Sequence, residues 1–106
     1  MIYVNIAKDF TRFPAGRYKK NGATSGEDFR ERFLEPALQK GEHITVDFDG
    51  TVGYGSSFLE EAFGGVVRKL KLTAEFVLSH LSLASSDASI TEEVKSYIKD
   101  AASREA

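Results

Sequence analysis

Residues 43–70 read HITVDFDGTVGYGSSFLEEAFGGVVRKL and place a strand, a glycine-rich turn and a helix in direct succession. In the first part, Ile44, Val46 and Phe48 alternate with polar residues, which is typical of a strand with one buried face. From Ser56 the apolar residues recur at helical spacing, as Phe58, Leu59, Ala62, Phe63, Val66, Val67 and Leu70. A strand that leads through a turn into a helix is the repeating unit of α/β proteins, so this stretch sets the predicted fold class.

Two further elements are predicted before this stretch. Residues 2–7 alternate apolar and polar side chains and form a first strand. Residues 26–40 carry apolar residues at helical spacing and end before Gly41, a frequent helix stop. Between them, residues 10–22 contain proline, two glycines and an Asn-Gly pair, which predict either a short hairpin or an irregular loop.

The helix over 26–40 has a start signal and one irregularity. Thr24 or Ser25 precedes an acidic residue by three positions, so either one can complete a capping box. Pro36 removes a backbone donor from the helix interior, so we expect the helix to bend or divide near Phe33.

The C-terminal part of the chain completes the alternation of strands and helices. Residues 74–84 are interpreted as a third strand, and a final helix is expected with Ser89 and Glu92 as its capping box. The last residues, 102–106, are expected to fray. The order of elements predicts an α/β sandwich, 1–106, in which at least part of the sheet is parallel with right-handed crossovers.

Composition restricts the class of protein. A chain of 106 residues with 42% apolar content suits one domain with a single core. No apolar run approaches the roughly 20 residues that cross a bilayer, and the start lacks the pattern of a secretory signal, so a cytoplasmic protein is expected. The sequence has no cysteine, which removes disulfides, thiolate metal sites and cysteine nucleophiles together.

The turn GYGSSF, residues 53–58, has the position of an anion site but not the residues of a nucleotide loop. A helix N-terminus presents unpaired amides, and Gly53 and Gly55 let the backbone approach an anion. However, the lysine of GxxxxGK[ST] is missing, and Phe58 stands where GxGxxG has its third glycine. Both nucleotide motifs therefore fail, and a phosphate or other ligand anion remains as an alternative.

Other chemistries have weaker patterns. Arg17, Lys19 and Lys20 lie among aromatic residues near the N-terminus and could bind nucleic acid, although a solvated hairpin with inward aromatics gives the same pattern. Asp47 and Asp49 could act as acid and base or bind a hard cation, but strand alternation alone explains both.

The histidines do not complete a catalytic or metal site by their spacing. His43 and His80 are far apart in sequence, and no evident base accompanies the serines, so an enzyme is only the alternative reading.

The segments FPAGRYKKNGATSGEDFRERFLEPAL and VDFDGTVGYGSSFLEEAFGGVVR strongly resemble the STAS-like domains of unknown function, the DUF4325 family. The resemblance runs from about Phe13 to Arg68, and its most specific string is GSSFLEEAFGG. It implies a STAS-like sandwich with a mixed sheet of about four to five strands and helices mainly on one face. More distantly, the arrangement is similar to STAS domains proper, including anti-anti-sigma factors.

In STAS domains a serine in the strand-to-helix turn is phosphorylated by a partner kinase, and the phosphate controls binding to that partner. The resemblance places this phosphoacceptor at Ser56, with Ser57 as the second serine, while Gly55 and Phe58 replace the flanking aspartate and glycine of the STAS turn. It offers a histidine-kinase-type ATPase as the class of partner. The alternative is that Ser56 or Ser57 is an ordinary helix N-cap.

Two charged residues complete the expected surface. Arg17 could fold over the serine turn and hold a phosphate or a partner's carboxylate, or else form a surface ion pair. Glu60, one turn after the serines, would oppose a phosphate there. The sequence thus predicts a noncatalytic regulatory domain, without cofactor or metal, that binds a protein through Gly53, Gly55, the two serines and the adjoining helix.

Overall fold

The computed structural model describes residues 1–105 and confirms an α/β architecture. In chain order the elements are β1 (Ile2–Asn5), α1 (Ile6–Asp9), α2 (26–39), β2 (Ile44–Asp47), α3 (56–70), α4 (Ala74–His80), β3 (Leu81–Ala84) and α5 (Ala88–Glu105). The part of the predicted fraying tail that falls on Ala106 lies outside the described residues.

The sheet has three strands in the order β1-β2-β3, and both pairs are parallel. The register aligns Val4 with Val46 and Val46 with Leu83, so apolar rows cover one face. The other face carries the row of Tyr3, Thr45 and Ser82, and Tyr3 is 61% exposed. The prediction of a mixed sheet with four to five strands is therefore wrong for the described residues, and helices cover one face of the sheet.

One strand prediction fails because residues 74–80 are helical. The Thr73 side chain accepts a hydrogen bond from the Phe76 amide and caps α4. Val77 is buried, and the Phe76 and His80 rings stack one turn apart at 4.2 Å between centroids. Apolar residues at 74, 76 and 78 also fit alternation, so the pattern did not separate the two structures. Only Leu81–Ala84 forms the strand.

Residues 10–25 form an irregular loop with one 3-10 turn at Lys19–Asn21. Gly16 and Gly22 adopt φ values of 90° and 145°, which glycine tolerates without strain. The loop returns over the start of α2, because the Gly26 amide donates to the Gly16 carbonyl at 2.9 Å and the Glu27 amide to the Arg17 carbonyl at 3.0 Å. This placement brings Arg17 to the N-terminal end of α2.

Both long crossover helices contain a π-helical turn. In α2, the α-helical segments Gly26–Phe29 and Glu35–Gln39 flank the π segment Arg30–Leu34. In α3, Ser56–Leu59 and Gly65–Leu70 flank the π segment Glu60–Gly64. The interruption expected from Pro36 is thus present just before that proline, where the Glu35 amide donates to the Arg30 carbonyl five residues back. The two π segments pack against each other in the helix layer.

Helix caps agree with the sequence at α2 and differ at α5. The Ser25 hydroxyl accepts from the Asp28 amide at 3.1 Å, and Gly41, with φ 70°, terminates the helix. At α5, Asp87 accepts from both the amide and the hydroxyl of Ser89. The predicted Ser89 cap is therefore wrong, because the aspartate two residues earlier takes that position.

Candidate functional site

The turn between β2 and α3 is anchored to the core on one side and exposed to solvent on the other. Tyr54 anchors it: the hydroxyl donates to the Phe48 carbonyl at 2.6 Å, and the ring packs between Phe48 and Phe58. Burial raises the pKa of Tyr54 to about 12. A second tie is the hydrogen bond from the Val52 amide to the Arg12 carbonyl at 3.0 Å. The tyrosine is thus a structural anchor for the turn.

Ser56 and Ser57 are the first two residues of α3, and both are exposed. The N-cap position belongs to Gly55, which has no capping side chain. The prediction that Ser56 or Ser57 caps the helix is therefore wrong. Among the side chains of residues 1–103 and the backbone of 1–105, neither serine hydroxyl has a hydrogen-bond partner, so both project from the end of the helix without a structural contact of this kind.

The two glycines of the turn have open space around them. A Cβ atom added at Gly53 or Gly55 would meet nothing within 4 Å. Both glycines are exposed, as is Val52, whose relative exposure is 69%. The structure therefore brings Gly53, Gly55, Ser56 and Ser57 together on one exposed surface, which we call the serine turn.

A cluster of ion pairs lies one turn further along α3. Arg30 of α2 reaches across to Glu61 of α3 and donates to that carboxylate, and its Nε atom donates to Glu35 at 2.7 Å. The Arg30 and Glu61 side chains are only 7% and 9% exposed. Burial alone would lower the pKa of Arg30, but its hydrogen bonds to the Glu35 and Glu61 carboxylates raise it overall, so this cation stays charged. The cluster joins the two π-helical turns.

Arg17 and Arg68 extend this cluster to the surface through Glu60. Arg17 Nη1 lies 2.5 Å from one Glu60 oxygen, and Arg68 Nη1 lies 2.6 Å from the other. Burial alone would raise the pKa of Glu60, but the hydrogen bonds from Arg68 and Arg17 lower it overall. Arg17 also contacts Glu61 at 3.2 Å. Arg17 therefore adopts the ion-pair alternative, with carboxylates of the chain itself.

Glycines make room for the cluster. A Cβ atom on Gly65 would lie 2.8 Å from Arg30 Nη1 and 3.1 Å from Glu61 Oε2. On Gly26 it would overlap the Phe58 carbonyl and come within 3.1 Å of the Ala62 amide nitrogen. Close packing thus explains the Gly-Gly pair of the string GSSFLEEAFGG, as its low helix propensity suggested: Gly65 packs against Arg30 of α2, and Gly64 against the Glu60 and Arg68 side chains of its own helix.

Sequence reasoning missed Arg30, Arg68 and Glu61. A usable signal was present, because Arg30 lies four residues before Leu34, and Glu61 lies three residues after Phe58, each on the apolar side of its helix. A charged residue within the apolar stripe of a helix is expected to have a partner of opposite charge, and each of the two helices carries one such residue.

The two aspartates at the end of β2 bind groups of the chain itself. Asp47 accepts from the Tyr3 hydroxyl and from the Asp49 amide, and the hydrogen bond from Tyr3 lowers the pKa of Asp47. Asp49 accepts from the amide and hydroxyl of Ser86. Among the described side chains, residues 1–103, no group of three or more His, Asp or Glu is arranged to hold a metal ion.

The histidines and the basic residues of the loop lie apart from the serine turn. His43 Nε2 is 2.7 Å from Ser82 Oγ, and His80 stacks on Phe76. Lys19 pairs with Glu31, and Lys20 lies over the Tyr18 ring. Nucleic-acid binding through this segment stays a prediction, although Arg17, Lys19 and Lys20 already have partners within the chain.

The family comparison matches residues 25–91 to a family described as STAS-like domain of unknown function (DUF4325). The match covers more than half of the chain, so the protein belongs to this family. No curated protein and no solved structure matches the chain. The matched region contains the serine turn and the Arg30–Glu61 pair, whereas Arg17 precedes it. Among the described residues, none of the helices has the length and apolar character needed to span a membrane.

Proposed function

Since the chain is a STAS-like domain, we propose that it is a noncatalytic regulatory domain that binds a protein partner through the serine turn and the first turn of α3. The observation that carries this proposal is the exposure of Ser56 and Ser57 without any hydrogen bond from their hydroxyls to the described part of the chain. Such side chains are free for modification or for contact with a partner. A kinase with a histidine-kinase-type ATPase fold is the proposed class of partner.

Phosphorylation of Ser56 fits the electrostatics of this helix end. A phosphate adds about −1.5 to −2 charge at a helix N-terminus, where unpaired amides and the helix dipole favour negative charge. Glu60 follows Ser56 by four residues, and its amide donates to the Ser56 carbonyl, so the two side chains lie on the same face of a regular α-turn. The opposing charge of Glu60 is offset by Arg17 and Arg68.

Arg17 couples the serine turn to the loop that precedes α2. A phosphate on Ser56 would compete with Glu60 for the Arg17 guanidinium, because phosphate offers more charge and fits the same fork. Transfer of Arg17 to the phosphate would shift the 10–25 loop, whose Gly16 and Arg17 carbonyls are tied to α2. Modification would then change the shape of the surface as well as its charge.

The noncatalytic assignment rests on the surroundings of the serines. A serine nucleophile needs a base within hydrogen-bond reach, and the two histidines of the chain are engaged with Ser82 and Phe76 instead. The test is a turnover assay with generic phosphoester and nucleotide substrates. Turnover by the wild type that disappears in Ser56→Ala would overturn this assignment.

The regulatory proposal is tested by affinity capture from native lysate with wild type, Ser56→Ala and Ser56→Asp. Mass spectrometry identifies the captured proteins and measures phosphate on the bait. We expect phosphate at Ser56 or Ser57 and a partner that distinguishes the Ala and Asp variants. Ser96→Ala is the matched control, since Ser96 is exposed on α5. Identical capture by all forms, with no phosphate on the bait, would refute the proposal.

A further inference from the structure

The edge of β3 that faces away from β2 has free backbone groups. The Phe48 amide donates to the Ala84 carbonyl at 2.8 Å, so the backbone of Ala84 points toward β2. Backbone direction alternates along a strand, and the N–H and C=O groups of Leu83 therefore point to the opposite side, as do those of Leu81. In residues 1–105 no fourth strand pairs with this edge. An edge of this kind can accept an extended chain.

A groove runs beside this edge. It has a volume of about 540 Å³ and is lined by Leu78 of α4, by Leu81, Ser82 and Leu83 of β3, and by Lys95 and Lys99 of α5. Leu78 and Leu83 are half-buried, whereas both lysines are exposed. The groove thus combines an apolar floor, a row of backbone donors and acceptors, and a basic rim.

The two lysines of the rim have little compensation from the chain. They are four residues apart on α5 and therefore lie on the same side of the helix. Lys95 has one ion pair, with Glu92 at 3.6 Å, and both of these side chains are exposed. Among the described residues Lys99 has no ion pair. The residues that line the groove carry two positive side chains and no negative one, although the chain has a net charge of −2.

We propose that the β3 edge binds an extended acidic segment of a partner protein as a fourth strand. The segment's backbone bonds to Leu81 and Leu83, as in other cases of strand addition. Its side chains on the helix side of the sheet meet Leu78 and the two lysines, so carboxylates there are favoured. Pairing of β3 with β3 of a second copy is disfavoured, because it would bring four lysines of like charge to one edge.

This surface is independent of the serine turn. It is built from α4, β3 and α5, whereas the serine turn lies between β2 and α3. Its test therefore uses variants of the groove alone, and failure of either proposal leaves the other standing.

The test uses a fluorescent, end-capped hexapeptide in which glutamate and valine alternate, measured by anisotropy. We expect binding that falls at least about tenfold in Lys95→Glu/Lys99→Glu. The control Lys20→Glu/Lys40→Glu makes the same change of net charge at two exposed lysines outside the groove. Equal losses in both double variants, or no binding to the wild type, would overturn the proposal.

Two further measurements identify strand addition. A peptide with N-methylated backbone amides keeps its side chains and should lose binding, because it lacks the donors that a strand needs. By NMR hydrogen exchange, the Leu83 amide should exchange faster than its neighbour at Ala84 and become protected with the peptide. Equal binding of the methylated peptide, or no protection of Leu83, would overturn strand addition. So would a wild-type dimer, detected by sedimentation equilibrium, that the neutral variant Lys95→Gln/Lys99→Gln strengthens.

Discussion

The first turn of α3 and the π-helical turn that follows it lie in one helix but have opposite surroundings. Ser56 and Ser57 are exposed, and their hydroxyls make no hydrogen bond to the described part of the chain, whereas Glu61 is 7% exposed and paired with Arg30. Gly53 and Gly55 have open space around them, whereas Gly64 and Gly65 have none to spare. The string GSSFLEEAFGG therefore has two different roles: its first part can change without cost to the packing, and its second part cannot.

The largest expected loss of stability comes from breaking the buried Arg30–Glu61 pair. Arg30→Met should lower the free energy of unfolding by about 3 kcal/mol, because it removes the buried partner of Glu61 and leaves this carboxylate only its longer contacts with Arg17 and Arg68. Urea denaturation monitored by circular dichroism measures the change. The matched control is Arg32→Met, two residues away, since Arg32 is 54% exposed, pairs with Asp28 at 3.7 Å and otherwise lies over the Phe10 and Phe33 rings.

The control should cost less than about 1 kcal/mol. The double variant Arg30→Met/Glu61→Leu should recover part of the loss, since it removes both charges of the pair. Equal losses of stability in Arg30→Met and Arg32→Met would contradict this prediction. The ion pair of Glu61 would then give the second part of GSSFLEEAFGG no special role in stability.

The next largest loss of stability is expected at the closely packed glycines. Gly26→Ala should destabilise the protein by about 1–3 kcal/mol, because its Cβ would overlap the Phe58 carbonyl, and backbone cannot move aside as a side chain can. Gly53→Ala is the matched control and should be neutral or slightly stabilising, since a Cβ there meets nothing. Thermal unfolding compares the stability of the two variants. A larger loss of stability in Gly53→Ala would contradict the distinction between the open glycines of the turn and the closely packed glycines of the helices.

Glu60 lies at the boundary of the two regions, and its effect should depend on pH. Its pKa is lowered in the folded state, so the unfolded state binds more protons near the ordinary value of 4.5. The contribution of Glu60 to the free energy of unfolding is therefore complete above about pH 4.5 and is lost as the pH falls through the folded pKa. Glu60→Gln should cost about 1–2 kcal/mol at pH 7.

The same substitution should cost progressively less stability as the pH falls through the folded pKa, because the wild-type carboxylate then becomes protonated. Urea denaturation of both proteins across this range measures the difference. A cost that does not vary with pH would show that the Glu60 charge does not contribute to stability.

The smallest effect concerns the serines. Ser25→Ala should cost about 1 kcal/mol, because Ser25 is fully buried and caps α2. Ser56→Ala should cost less than about 0.5 kcal/mol, because no cap is lost. Chemical denaturation measures the free energy of unfolding of both variants. Equal losses in Ser25→Ala and Ser56→Ala would support the interpretation of Ser56 as a helix cap.

The sequence predicted the elements whose periodicity was unambiguous and missed those that depend on partners elsewhere. The strand at 44–47 and the helix at 56–70 follow directly from spacing, and so does the stop at Gly41. Residues 74–80 satisfied both periods, and only the packing of Val77 selects the helix. The Ser56 cap was wrong because the helix begins at Ser56 itself, so the N-cap position falls on Gly55.

The candidate site shows the same limit. The exposed serine turn was found from local sequence, because glycines and serines between a strand and a helix have a local meaning. The Arg30–Glu61 pair joins residues 31 positions apart, and its formation depends on how α2 crosses α3. Spacing within one helix cannot supply that crossing.

The two π-helical turns have a consequence for how members of this family should be aligned. Each closes a hydrogen bond from an amide to a carbonyl five residues back, at Glu35–Arg30 and Gly65–Glu60, where an α-helix would span four. Each helix therefore holds one residue more than a regular helix with the same ends. A homologue shorter by one residue within 30–34 or 60–64 can keep every flanking contact, so gaps belong inside these helices and not only in the loops.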